Sequence, residues 1–289
     1  MKKIVDFSCT YDNAAGISPE VTERLNLSFP DAYLHSETME VLAREIKRQE
    51  GSTFCELPFC HTVEAEAMGG KIRMGDGRTG PRAGAPVCRT WQDVLELPDI
   101  DFSEGRIAQV LTACKNLCSQ GETVVLDISG PFTILNSLMD GKDLFPLMRK
   151  APEAMERILR KMEENIFAFA VEAAGAGVKL ISYADSAGGV NILGPKHGAW
   201  MAEVFTYPLM KKLEAALPED VLVLLCPKTA FALLGIEKAE WEDISLSGAM
   251  TYAQGCEEAA GKTRFVGQMC IRNTRYMLEN RKIKGLRLL

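Results

Sequence analysis

Val221-Leu222-Val223-Leu224-Leu225 is an unbroken apolar run, and Val124-Val125-Leu126 within residues 123–128 is a shorter one of the same kind. A strand with one wet face alternates apolar and polar residues, whereas a parallel strand covered on both faces reads as near-continuous Val, Ile and Leu. Similar β-rich runs recur at 3–7, 53–59, 179–184, 243–246, 264–269 and 283–288, which makes eight in all.

Helical patterns separate the runs. Pro152 stands at a first-turn position beside Glu153 and Glu156, and Met155, Ile158, Leu159, Met162, Ile166 and Phe169 recur every three or four residues until Gly175 and Gly177 stop the pattern. A second helix is predicted over 195–217, closed by Pro218, and a third over 251–260, closed by Gly261. Strand and helix alternating across eight strands, with crossovers long enough to be right-handed, predict an α/β fold: a single (β/α)8 TIM-type barrel domain over 1–289. An open doubly wound sheet is the alternative. Residues 69–98, rich in Gly and Pro, predict an excursion after the second strand: a hairpin, then a loop over the barrel mouth.

Composition excludes several classes. A chain of 289 residues, 47% hydrophobic and 25% charged, is neither disordered nor fibrous and buries a full core without staples. Thirty-three basic against 39 acidic residues, with no Lys/Arg block, leave no electrostatic footprint for nucleic acid. The start is broken by Asp6 before an apolar run develops, and the most apolar later stretch, 166–184, contains Glu172 and Lys179. Neither secretion nor a membrane span is expected, and the expected location is the cytoplasm. The nine cysteines are then expected as thiols, most of them small packed residues.

Several strings fall in order along the chain: Val63-Glu64-Ala65-Glu66-Ala67-Met68-Gly69, Ile128-Ser129-Gly130-Pro131-Phe132-Thr133, Ala151-Pro152-Glu153, Glu172-Ala173-Ala174-Gly175-Ala176-Gly177 and Phe265-Val266-Gly267-Gln268. Together they resemble the uroporphyrinogen decarboxylase superfamily, and its corrinoid-dependent methyltransferase branch more than its decarboxylases. The resemblance implies a (β/α)8 barrel with its site at the C-terminal ends of the strands. It also implies a zinc ion there, and methyl transfer between a small donor or acceptor and the cobalt of a corrinoid (cobalamin) carried by a partner protein. The decarboxylases hold substrate carboxylates with an N-terminal Arg-rich motif, and no Arg lies between Lys3 and Arg24 here. The branch's metal motif is His-x-Cys after the fifth strand plus a later Cys. Cys226 matches its cysteine, but Leu224 stands at the histidine position and the sequence lacks the usual Gly-Cys segment after its last predicted strand.

The barrel rule selects candidates from the residues alone, because side chains just past the strand ends point into the mouth. These are Cys9, Cys60, His61, Asp127, Ser129, Asp185, Cys226 and Cys270. Catalytic zinc takes three protein ligands and an open position. Cys226, Cys270 and Asp185 are the candidate metal set, against the plain reading of a strand-end Cys as a packed residue. Glu56, inside the apolar run Phe54-Cys55-Glu56-Leu57, needs a cation, a metal or donors if it faces inward, and is a candidate proton acceptor or further ligand. His61 and Asp127 join it as catalytic candidates, and Asp185, Asn191 and His197 as substrate-binding ones. Cys55, Cys88, Cys114, Cys118 and Cys256 read as packing, with Cys9 and Cys60 open. The expected function is zinc-dependent methyl transfer with a corrinoid protein. Two alternatives stand beside it: a metal-free lyase of the decarboxylase type, with Arg78, Arg82 and Arg89 as its cations, and a non-catalytic corrinoid-binding subunit.

Overall fold

The computed structural model describes residues 16–289, so the expected strand at 3–7 and Cys9 lie outside the described residues. Seven strands form the main sheet: β1 (Phe54–Leu57), β2 (Thr123–Ser129), β3 (Leu180–Ala184), β4 (Leu222–Leu225), β5 (Ala239–Ser245), β6 (Phe265–Val266) and β7 (Lys282–Leu288). Their order is β1-β2-β3-β4-β6-β7-β5. From β1 to β6 every pairing is parallel, and helices follow β1 to β4 as the sequence predicts. The fold is α/β, of the (β/α)8 barrel type, with the seven strands as its arc.

The last third departs from the predicted strand order. β7, expected as an eighth parallel strand, runs antiparallel between β6 and β5. A parallel return needs a crossover, usually a helix. Residues 267–281 supply only turns and the two-residue strand Met277–Leu278. β7 also lacks the unbroken apolar run of a covered parallel strand: Lys282, Lys284 and Arg287 are exposed, while Ile283 packs in the inner core and Leu286 and Leu288 in the outer one.

The parallel strands divide their side chains between two cores. Phe54, Val125, Leu180, Leu222, Leu224 and Val266 point to one face, where Tyr252, Ala253, Cys256 and Ala259 of the helix Tyr252–Ala259 and Ile283 of β7 pack on them. Cys55, Leu57, Val124, Leu126, Ile181, Tyr183, Val223 and Leu225 point to the other, against the outer helices. Each fully buried Leu, Val or Phe contributes about 1.5–3 kcal/mol. A one-residue slip would exchange the two sets and press Glu56 and Asp127 against the helices, so the register is strongly held.

Three helices bear on the site. Helix α1 (Val63–Ala67) follows β1, and α2 (Pro131–Leu138) follows β2 with Pro at its first turn. The helix predicted over 195–217 is present: α3 (Val190–Met201) has its non-helical break at Gly194 (φ 73°), just before Pro195, and continues through a π-helical turn at Ala202–Thr206 into Tyr207–Ala216. Pro195 lacks an N–H and disfavours helical backbone in the residue before it, which Gly194 accommodates. The hairpin expected in the excursion is present, with Ile72–Arg73 pairing antiparallel to Arg82–Ala83. Its turn is tied by Asp76 Oδ1, which accepts from the Arg78 and Thr79 N–H groups at 2.8 and 2.9 Å. Gly75, at φ 69°, passes so close to the Thr79 carbonyl that a Cβ would lie 1.8 Å from its oxygen.

Candidate active site

The C-terminal ends of β1 to β4 converge on one small cleft of about 60 Å³, lined by His61, Asp127, Ser182, Ser186, Cys226, Cys270 and Arg272, with Leu224, Leu225 and Ile271 as its apolar wall. The strand register explains the assembly. Asp127 on β2 pairs with Ser182 on β3, and Ser182 with Leu224 on β4. Alternation then places these three on the inner face, one pleat above Val125, Leu180 and Leu222. Glu56 lies opposite Val125, on the same face.

Glu56 and Asp127 form a carboxyl pair. Burial and then the charge of Asp127 push the Glu56 pKa up to about 8, against the pull of Arg272. A carboxyl so shifted keeps its proton through neutral pH in large part. The Arg272 Nη2 lies 2.7 Å from Glu56 Oε1, and 41% of the arginine side chain is exposed at the mouth against 12% for Glu56. The pair on Glu56 raises the arginine's own pKa, so it is a permanent cation. His61 is the opposite case: burial lowers its pKa although Glu64 and Glu56 favour the charged form, which leaves a neutral imidazole. Its Nδ1 is buried with no hydrogen-bond partner among the described residues.

Around this cleft the motif strings do structural work. Glu64 on α1 accepts from the Ser129 N–H at 2.6 Å and from its hydroxyl at 3.2 Å, tying α1 to the end of β2. Glu66 accepts from Arg106, which also donates to Thr62 Oγ1 and to Cys60 Sγ at 3.0 Å. Cys60, open in the sequence, is therefore part of a buried clamp and does not line the cleft.

Asp185 does not line this cleft. One of its oxygens accepts from the Thr133 N–H and hydroxyl, both at 2.8 Å, and the other from the Phe132 N–H at 3.2 Å. The first N–H groups of a helix lack partners inside it, and a carboxylate there satisfies them. The sequence assigned Asp185 to metal and substrate, but both oxygens are taken up at the start of α2. Gly130 sits so close that a Cβ would come within 2.3 Å of the Asp185 Cβ. The Gly-Pro-Phe-Thr string thus makes a helix start that Asp185 holds. Asn191 and His197 belong to α3: Asn191 Oδ1 accepts from Lys228 Nζ at 3.1 Å, and His197 Nδ1 lies 3.3 Å from the Leu193 carbonyl of its own helix. Neither lines the cleft. Arg78, Arg82 and Arg89 are exposed on the excursion and do not line it either.

Cys226 and Cys270 do share the cleft, and the eight described cysteines are all thiols. Two thiols are suitable donors for zinc, but a catalytic site needs a third protein ligand. Among the described residues no three of His, Cys, Asp and Glu are grouped to hold an ion. Leu224 fills the histidine position, Asp185 is engaged elsewhere, Glu56 pairs with the Arg272 guanidinium, and His61, though it lines the cleft, is not grouped with the two thiols as a ligand set. The described residues do not fit a catalytic zinc. Arg272 and Ser182 were not found from sequence. Ser182 is hidden inside an apolar strand, whereas Arg272 stands two residues past Cys270, where a slightly wider strand-end window would have found it.

The family described as "Uroporphyrinogen decarboxylase (URO-D)" matches residues 17–269. A curated protein named "Methylcobamide:CoM methyltransferase MtaA" from Methanosarcina barkeri is 24% identical over 254 residues, covering 86% of this chain and 74% of its own. "Methylcobamide:CoM methyltransferase MtbA" from Methanosarcina acetivorans is 25% identical over 233 residues, 78% of this chain and 67% of its own. A solved structure titled "methyltransferase from Methanosarcina mazei" superposes with a TM-score of 0.63 at 22% identity, over 80% of this chain and 69% of that one, which is a likeness of fold. Among the described residues no helix is long and apolar enough to cross a membrane.

Proposed function

Because the chain belongs to the uroporphyrinogen decarboxylase family, we propose that it is a methyltransferase working between a small substrate and the cobalt of a corrinoid carried by a partner protein. The observation that carries this reading is the likeness to proteins named methylcobamide:CoM methyltransferases along 86% of the chain. The cleft supports it: about 60 Å³ suits a small group and is far below the several hundred Å³ that a large ligand occupies.

The roles follow from the chemistry of each group. The His61 Nδ1, buried and unpartnered, is the position at which a polar hydrogen of the substrate, or a lone pair, finds a hydrogen bond. A thiol that accepts a methyl group must lose its proton, and the Glu56–Asp127 pair is the proton-holding group beside the cleft. Ser182 and Ser186 orient the substrate with short side chains. The corrinoid supplies the alkyl-transfer chemistry, while the barrel supplies orientation and proton transfer. Zinc, which the family resemblance implies, meets the misfit described above, and no step is derived through it.

Mixing the protein with methylcobalamin and a thiol such as CoM, and following loss of the cobalt–methyl absorption, tests the reading. Thiol-dependent demethylation is expected, with Asp127→Asn and His61→Ala each slowing it about 10²-fold, the usual scale for a proton-transfer or polar positioning group. Leu224 at the histidine position favours a second reading, a corrinoid-binding subunit without turnover. Binding of a corrinoid protein with no demethylation by any thiol would select it.

A further inference from the structure

We infer that the barrel mouth works without a bound metal ion, the Arg272 guanidinium supplying the fixed positive charge against which a substrate anion forms. Three geometric observations carry this. The guanidinium lies 2.7 Å from Glu56 and keeps 41% of its side chain exposed, so one side is anchored while the rest remains available to a ligand in the cleft. It lines the same cleft as Asp127 and Cys270 and pairs with Glu56, which are the groups a cation in this cleft would use. Among the described residues no three of His, Cys, Asp and Glu are grouped to hold an ion: Asp185 is engaged at the start of α2, Leu224 stands at the histidine position, and His61 shares the cleft without completing such a group.

Two charges cannot share this place. A divalent ion a few ångströms from a permanent guanidinium is repelled, and it would find the nearby carboxylates already compensated. A guanidinium is also a competent partner for an anionic sulfur. If the substrate is a thiol, as the proposed methyl transfer has it, the S–H proton passes to the Glu56–Asp127 pair and the thiolate is held by Arg272. The S–C bond then forms as the C–Co bond breaks, and the bonding pair stays on cobalt. No oxidant or reductant is required beyond the two substrates. Only the thiolate role rests on the proposed function; the exclusion of a metal from the mouth does not.

The experiment combines metal content with variants. Protein from zinc-supplemented culture is measured by mass spectrometry, and zinc affinity by competition with a chromophoric chelator, for the unaltered chain, Cys226→Ala, Arg272→Ala and Arg272→Lys. The unaltered chain is expected to hold far less than one zinc per chain, and Arg272→Ala to bind zinc about tenfold tighter or more, because a repelling charge is gone and Glu56 is released. Thiol-dependent demethylation of methylcobalamin should be insensitive to chelator. It should fall about 10²-fold in Arg272→Ala and recover in part in Arg272→Lys or on adding guanidinium ion, which a purely structural role would not produce. Arg272→Lys keeps the test usable should the alanine variant not fold. One zinc per chain that is lost in Cys226→Ala overturns the inference, as does zinc affinity unchanged in Arg272→Ala. An unaltered chain that demethylates nothing removes the proposed function, while the zinc measurements still decide whether the mouth is metal-free.

Discussion

Asp185 accepts hydrogen bonds from two backbone N–H groups and a hydroxyl at the start of α2, and burial works against its charge. Its removal leaves helix donors unsatisfied in a buried position, so Asp185→Ala is expected to lower stability by about 1–3 kcal/mol, read as a shift of the urea midpoint. An Asp that instead served only a ligand would leave the midpoint of the apo protein almost unchanged. Glu56 makes a second prediction. Its folded-state pKa of about 8 lies above the ordinary value of 4.5, so its contribution to stability is fully present below that ordinary value and is lost as pH rises through about 8. Glu56→Gln keeps the shape and removes the titration. Between about pH 5 and about pH 9 the variant should lose less stability than the unaltered chain, by about 4 kcal/mol. Both residues stand out in the sequence as carboxylates at or inside apolar strands. What each touches comes from segments more than fifty residues away, and no local pattern encodes that.

At the scale of elements, the parallel strands were legible because burial on both faces writes an unbroken apolar run. The direction of β7 was not, although Lys282, Lys284 and Arg287 set it apart from the unbroken apolar runs of the parallel strands. The pairing of β7 with β5 depends on Gly285, where a Cβ would come within 2.8 Å of the Glu242 side chain on the neighbouring strand. Gly285→Val is therefore expected to cost about 1–3 kcal/mol through overpacking, despite the usual preference of strands for valine. Thermal unfolding measures this, and a variant as stable as the parent would mean that the two strands separate easily there.

For the whole molecule, β7 closes the end of the sheet by pairing with both β6 and β5, and it contributes Ile283 to the inner core and Leu286 and Leu288 to the outer one. At about 1.5–3 kcal/mol for each buried side chain, its loss approaches the 5–15 kcal/mol that holds an ordinary domain together. It would also open two strand edges to other chains. Chains ending at residue 281 should therefore be recovered as aggregate, checked by soluble yield and gel filtration; a monodisperse shortened chain would show that the remaining six strands suffice. The sequence alone determined the alternation of strands and helices, the excursion over 69–98 and the placing of chemistry at strand ends, because hydrophobic period, Pro, Gly and strand polarity act over a few residues. Only the tertiary structure decided that β7 turns back, that Asp185 holds a helix, that Glu56 meets Asp127, and that Arg272 enters the mouth with Cys226 and Cys270. Those outcomes depend on which distant segments share a face, and the energy that selects them exists only once the strands have packed.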